Sequence, residues 1–224
     1  MGQTALEVTL GAIVAILVTI VIENARKPRL ALHIAAHHDA TYPPGRPAKT
    51  VRFLAVDLVN RPLPWLLRWM SRNPALNCHG TIEFHHLDGQ TVFDRAMSIR
   101  WSGSPEPVPL HFQINNVQVL IADPAKLTLA SRMDVYPGES ERLDVAARFD
   151  NEPDCYGWSN DSYFSTPVWR IPDWRLPPGR YLFNVTVVSS GEKVSTIYRL
   201  VNDVPQTDFR LQPPLPQDKI SRRQ

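Results

Sequence analysis

Three groups of side chains in this 224-residue sequence could do chemistry. The first is histidine, with seven residues including His37-His38, His79 and His85-His86. On a strand, His79, Glu83 and His85 share one face, because alternate residues point the same way. Neighbours at i and i+2 can chelate a metal, but zinc sites show tighter Cys/His pairings, so exposed strand histidines are the plainer reading. The second group is Asp150, Glu152, Asp154 and Asp161, which resemble a calcium loop in spacing. Pro153, and Cys155 where such a loop needs glycine, spoil the EF-hand pattern and leave a solvated acidic loop. The third group is aromatic: Tyr156, Trp158, Tyr163, Phe164, Trp169 and Trp174 crowd one segment. Loops on a rigid framework are where binding tends to live, and tryptophan and tyrosine are common anchors. Tyr156, Trp158, Tyr163, Trp169 and Trp174 are therefore candidate contacts for a protein partner. The competing reading is a long loop that packs its own aromatics onto the edge of the fold.

Other chemistry is not written in the sequence. There is no Gly-x-Ser-x-Gly elbow, no P-loop and no dinucleotide fingerprint, so neither catalysis nor a cofactor is expected. A net charge of +2 is too balanced for a nucleic-acid binder. The two cysteines, Cys78 in a strand-like stretch and Cys155 in a loop-like one, read as one buried thiol and one loop thiol. In an exported domain they could pair; in cytosol they stay reduced. The sequons Asn160-Asp161-Ser162 and Asn184-Val185-Thr186 matter only in a secretory setting, and Asn184 lies inside an apparent strand.

These residues must be positioned by two kinds of element. Ala5–Ile22 reads ALEVTLGAIVAILVTIVI, 18 residues without a polar stripe. At ~1.5 Å per residue a helix of that length spans roughly 27 Å, close to the ~30 Å hydrocarbon core of a bilayer. One transmembrane helix is expected. A buried core helix is the rival, and a helix apolar all round at a terminus has little to bury it. A cleaved signal peptide needs a basic n-region and a small-x-small site; Met1–Leu6 has no Lys or Arg, and Ile22-Glu23-Asn24-Ala25 is not such a site. Leu6 stands where myristoylation wants Ser or Thr. Arg26, Lys27 and Arg29 follow the run, and basic flanks stay on the cytoplasmic side, so the large domain is expected inside the cell.

The rest reads as short strands joined by stiff turns, with 21 prolines against 10 glycines. Strand patterns cover Leu30–Ile34, Thr50–Asn60, Cys78–His86, Val117–Ala122, Met133–Val135, Arg142–Phe149 and Asp208–Leu211. In Cys78–His86, Cys78, Gly80, Ile82 and Phe84 are expected inward. Leu87-Asp88-Gly89-Gln90 carries an Asp-Gly turn signal. The clearest hairpin joins Arg180–Val188 to Lys193–Val201 through Ser189-Ser190-Gly191-Glu192. Asp150–Pro178 is expected to be irregular. Pro62–Arg72 breaks the strand pattern: Trp65, Leu66, Trp69 and Met70 form a helical stripe opposite Arg68, Ser71 and Arg72. That short helix either caps the fold with its tryptophans inside or lies in the headgroup zone, where Trp and Arg are at home. Trp65, Trp69, Arg68, Arg72, Arg26, Lys27 and Arg29 are thus candidate membrane-interface residues, with the lipid bilayer as a partner.

Tyr136-Pro137-Gly138-Glu139 before a strand, then Gly179-Arg180-Tyr181 opening the penultimate one, resembles immunoglobulin-like and fibronectin-III-like domains over the last 80 or so residues. The resemblance implies that Tyr181 bonds back across the corner of the fold. The B–F disulfide of antibody domains has no counterpart here.

The expected architecture is all-β: an antiparallel Ig-like β-sandwich with a short inserted helix, preceded by one N-terminal transmembrane helix. It divides into a short N-terminus (1–4), the span (5–22), a basic linker (23–29), the sandwich (30–212) and a disordered basic tail (213–224). The expected role is a single-pass, membrane-anchored, noncatalytic interaction or scaffold module. The alternative is a metal- or ligand-dependent sensor or enzyme using the histidine strand or the acidic aromatic loop.

Overall fold

A computed structural model describes residues 2–42, 49–67, 69–104, 110–114, 117–121, 132–164 and 170–218. Helix α1 runs Gly2–Arg26. No residue of its apolar window Thr9–Arg26 is buried, and Leu10, Ile13, Leu17 and Val21 stand exposed. The buried-core reading of this run is thereby excluded, and the helix is long and apolar enough to cross a membrane. The Thr19 hydroxyl donates to the Ala15 carbonyl at 2.9 Å, which satisfies that polar group inside the helix itself.

Fifteen strands follow among the described residues: β1 (Leu30–Ile34), β2 (His38–Tyr42), β3 (Lys49–Asn60), β4 (Ala75–His85), β5 (Met97–Ser98), β6 (Arg100–Trp101), β7 (Leu110–Ile114), β8 (Val117–Ile121), β9 (Met133–Val135), β10 (Ser140–Phe149), β11 (Cys155–Gly157), β12 (Arg175–Leu176), β13 (Arg180–Ser189), β14 (Glu192–Val201) and β15 (Arg210–Gln212). All their pairings are antiparallel. One sheet has the order β1-β3-β10-β11-β12, with β2 also on β3 and β6 on β10. The other has the order β15-β14-β13-β4-β5, with β9 on β4. β7 and β8 form a separate two-stranded ribbon.

The alternation of apolar residues sets which faces meet. Leu54, Val56, Leu58, Leu143 and Val145 from the first sheet share one core with Ile82, Phe84, Phe183, Val185 and Leu200 from the second. Cys78, Ile82 and Phe84 point inward as their spacing demands, while His79 and Glu83 face out. At Gly80 the β4 and β13 backbones leave no room for a side chain: a β-carbon there would run into the Thr186 carbonyl oxygen on β13. The β13–β14 hairpin extends to Ser189 and Glu192, one pair beyond the expected strands, so the loop is only Ser190-Gly191, with Gly191 at φ 112°.

Four expectations about local structure need correction. Among the described residues of Pro62–Arg72 there is no amphipathic α-helix but one 3-10 turn, Trp65–Leu67, that buries no residue. Its backbone bonds reach three residues back, Leu67 N–H to the Pro64 carbonyl and Met70 N–H to the Leu67 carbonyl, and the Asn73 N–H goes to the Arg26 carbonyl instead of back into a helix. Cys155 is not a loop thiol but a fully buried residue of β11. The irregular segment 150–178 supplies β11 and β12, which extend the first sheet. Of the expected tail, Pro213–Asp218 is held to the domain by an Arg199–Asp218 ion pair at 3.1 Å, and Lys219, Arg222 and Arg223 lie outside the described residues.

Candidate functional site

The end of the domain next to α1 is tied together by one side chain. Asn60, the last residue of β3, is completely buried. Its Oδ1 accepts from the Arg29 N–H at 3.2 Å, and its Nδ2 donates to the Asn73 and Val135 carbonyls, both at 3.1 Å. Its carbonyl accepts from Gly138 at 2.8 Å. The juxtamembrane linker, β3, β9, the 61–74 loop and the 136–139 turn thus meet at Asn60. Two further bonds fasten the loop to the helix exit: Asn73 N–H donates to the Arg26 carbonyl at 2.7 Å, and Arg72 Nη1 to the Lys27 carbonyl at 2.5 Å. Arg72 is buried, and that burial, reinforced by the nearby Arg29 charge, lowers its pKa. From this loop Trp65 and Trp69 project with 76% and 75% of their surface exposed. The reading in which the tryptophans fill the core is excluded. Arg26 is half-buried, Lys27 and Arg29 are exposed, and Arg68 lies outside the described residues.

The outer face of the first sheet carries a second feature. Ala36, Ala40 and Ala55 leave a hollow of about 290 Å³ that Phe53, Trp158 and Tyr163 wall. Trp158 meets Phe53 and Tyr163 edge-on, with centroids 5.0 and 5.4 Å apart, and His38 stacks on Phe53. At its margin are two buried charges, Arg100 and Asp144. Arg100 Nε sits 3.5 Å from Asp144 Oδ2, a charge contact without hydrogen-bond geometry. The Arg100 guanidinium lies 4.6 Å over the Tyr163 ring and donates to Asn160 Oδ1 and the Ser104 carbonyl. Burial pushes the Asp144 carboxyl up from its ordinary range, against the Ser102 hydroxyl that donates to it at 2.5 Å and the charges of Arg100, Arg142 and His38. Ser102 is spent on a carboxylate rather than facing a histidine, so it is not set up as a nucleophile. The arrangement is a cation held against an aromatic wall, and it pins β6 and the loop after it onto β10.

A second hollow, about 610 Å³, opens where β1 and β14 approach from opposite sheets. Leu32, Ile34, Ile197 and Tyr198 line it, with Pro213 and Pro214 at one end. β15 pairs only Arg199–Val201 of β14, so among the described strands nothing pairs the outer edge of Glu192–Tyr198. Burial raises the Tyr198 hydroxyl pKa to about 12.

The aromatic segment divides. Tyr156, Trp158 and Trp174 are buried, so they are not exposed anchors; they cover the sheet. Trp158 and Tyr156 join Val51, Ala147 and Phe149 in a second apolar cluster on the outer face, and Trp174 packs in the main core. Tyr163 is half-buried at the cavity wall, and Trp169 lies outside the described residues. Two acidic side chains of this segment, Glu152 and Asp154, are engaged with arginines. Glu152 receives Arg170 at 2.7–3.1 Å, and Arg175 donates to Asp154 at 2.6 Å. On the histidine strand, His79 Nδ1 lies 2.9 Å from the Asn77 carbonyl, while His85 is buried 4.0 Å from Glu83. Among the described residues no group of three or more His, Cys, Asp or Glu side chains is placed to hold a metal. Sequence reading missed Asn60, Arg100 and Asp144, since each sits in a strand where its type reads as surface.

No family model matches the chain, and no curated protein matches it. One solved structure, described as the X-ray structure of the Northeast Structural Genomics Consortium target SoR45, aligns with 80% of this chain and 89% of its own. It shares 9% identity at a TM-score of 0.26.

Proposed function

We propose that this protein is a single-pass membrane-anchored interaction module, an Ig-like β-sandwich held on the cytoplasmic face by α1. The observation that carries the reading is α1 itself: an apolar helix with no residue of its apolar window buried, fixed at its exit by hydrogen bonds to the domain. Water is a poor solvent for such a surface and a bilayer a good one. The basic residues Arg26, Lys27 and Arg29 support cytoplasmic placement. Two buried free thiols, Cys78 and Cys155, accord with a reducing compartment. The Ig-like reading draws support from Tyr181, whose hydroxyl donates to the Pro177 carbonyl at 2.9 Å across the corner before β13. A noncatalytic role draws support from the way two of the four candidate acids, Glu152 and Asp154, are engaged with arginines. The protein partner is an extended segment that takes up the open edge of β14, where backbone groups remain for a further strand.

Alkaline carbonate extraction of the full chain tests the anchor. The protein should stay with the membrane pellet, and a chain lacking residues 2–22 should move to the supernatant. Full-length protein in the supernatant would overturn the reading. Stoichiometric zinc or calcium in the purified chain would favour the sensor alternative instead.

A further inference from the structure

We infer that the anchor end of the domain is a bilayer-docking face, with Trp65, Leu66 and Trp69 seated in the headgroup zone of the leaflet from which α1 emerges. The inference rests on reading α1 as a membrane span and adds a second, independent contact beside it.

Exposure is the first ground. Trp65, Leu66 and Trp69 are among the most exposed apolar side chains of the molecule, and their turn buries nothing. Position is the second. The loop that carries them is bonded to the Arg26 and Lys27 carbonyls, the last turn of α1 and the residue after it. It therefore sits at the depth where a spanning helix leaves the hydrocarbon.

Distribution is the third ground. Outside α1, eight large apolar side chains of the described domain are exposed. Five of them gather at this end: the three of the loop, with Leu76 and Tyr136. Leu76 is the second residue of β4 and its carbonyl accepts from the Ser190 N–H, and Tyr136 opens the turn that bonds Asn60. Exposed apolar surface that converges on the exit of an apolar helix is a continuation of that helix's solvent preference. Tryptophan is the residue suited to this depth, because its ring is amphipathic.

Stiffness favours the contact as well. Pro62, Pro64 and Pro74 flank the turn, so little conformational freedom is lost on docking. The rim is mixed in charge, with Arg61, Lys27 and Arg29 beside Asp134 and Glu139. Apolar insertion rather than charge supplies the contact, and a neutral bilayer suffices.

The test uses the full chain in phosphatidylcholine vesicles, with nitroxide labels placed singly by Val14→Cys, Leu66→Cys and Leu87→Cys. Cys78 and Cys155 are buried and stay unlabelled. Collision with oxygen is compared with collision with an aqueous nickel chelate. The labels at 14 and 66 should lose contact with nickel, while the label at 87, in the turn beyond the far end of β4, keeps it. If 14 is immersed and 66 is as nickel-accessible as 87, the docking face is overturned and the anchor stands. If 14 is nickel-accessible too, the anchor reading fails first. In a second measurement, quenching of tryptophan fluorescence by brominated lipid should fall in the Trp65→Ala/Trp69→Ala chain, with an unchanged thermal midpoint. Unchanged quenching, or unfolding of this variant, overturns the inference.

Discussion

Asn60 does the work of several residues at once, since its amide replaces the partners that three backbone groups lose where strands end. Asn60→Ala leaves the Asn73 and Val135 carbonyls and the Arg29 N–H without it. At roughly 1–3 kcal/mol for a buried group left unsatisfied, a loss of about 3 kcal/mol is expected in urea denaturation. Two carboxylates should respond to pH with opposite signs. Burial raises the pKa of Asp144, so its contribution is fully present below the unfolded pKa and is lost as pH rises through the folded one. Asp144→Asn should therefore stabilise the protein at pH 7, with the gain vanishing towards pH 3. A loss at pH 7 would mean that the Arg100 pair outweighs burial. Asp39 is the reverse: the Arg52 hydrogen bond holds its carboxyl below the usual range. Its stabilisation is present above the unfolded pKa and is lost as pH falls through the depressed one, so Asp39→Asn should flatten the acid limb of the stability curve. None of this was legible in the sequence. An aspartate between Leu143 and Val145 reads as a solvent-facing alternate residue, and only the aromatic cover on the outer face buries it.

At the scale of elements, the tightest constraint is the β4–β13 pair. Gly80→Ala puts a β-carbon against the Thr186 carbonyl, and backbone cannot swing away as a side chain can. Overpacking of this kind costs ~1–3 kcal/mol or more, so a loss of about 3 kcal/mol is expected, with the β13–β14 hairpin losing amide protection first. The strands and hairpin that alternate cleanly were legible, because period-two patterning and turn chemistry are local signals. Pro62–Arg72 was misread for the opposite reason: its helical stripe is real as spacing, but the Asn73 N–H is taken by the Arg26 carbonyl, a contact that no local pattern shows. The segment 150–178 was misread because β11 and β12 are only three and two residues long, too short for any period to show. The exposed tryptophans were legible as candidates but not as a cluster, since Leu76 and Tyr136 join them only through the fold.

At the scale of the whole molecule, an apolar helix and a two-sheet domain meet at a hydrogen-bonded joint with almost no linker. α1 was the most legible element of all, because its length and lack of a polar stripe answer to bilayer dimensions alone. Which side the domain occupies rests on Arg26, Lys27 and Arg29, and the proposed partner, the redox setting of the two thiols and the relevance of the sequons all depend on it. The direct measurement is labelling of Leu87→Cys, an exposed site at the end of the domain away from α1, with a membrane-impermeant maleimide on intact cells. Cys78 and Cys155 give no background in the native fold, being buried, and burial raises the Cys78 thiol to about 11. The proposed topology predicts no labelling until the cells are lysed, and full labelling afterwards. Labelling of intact cells would contradict it and place the domain outside.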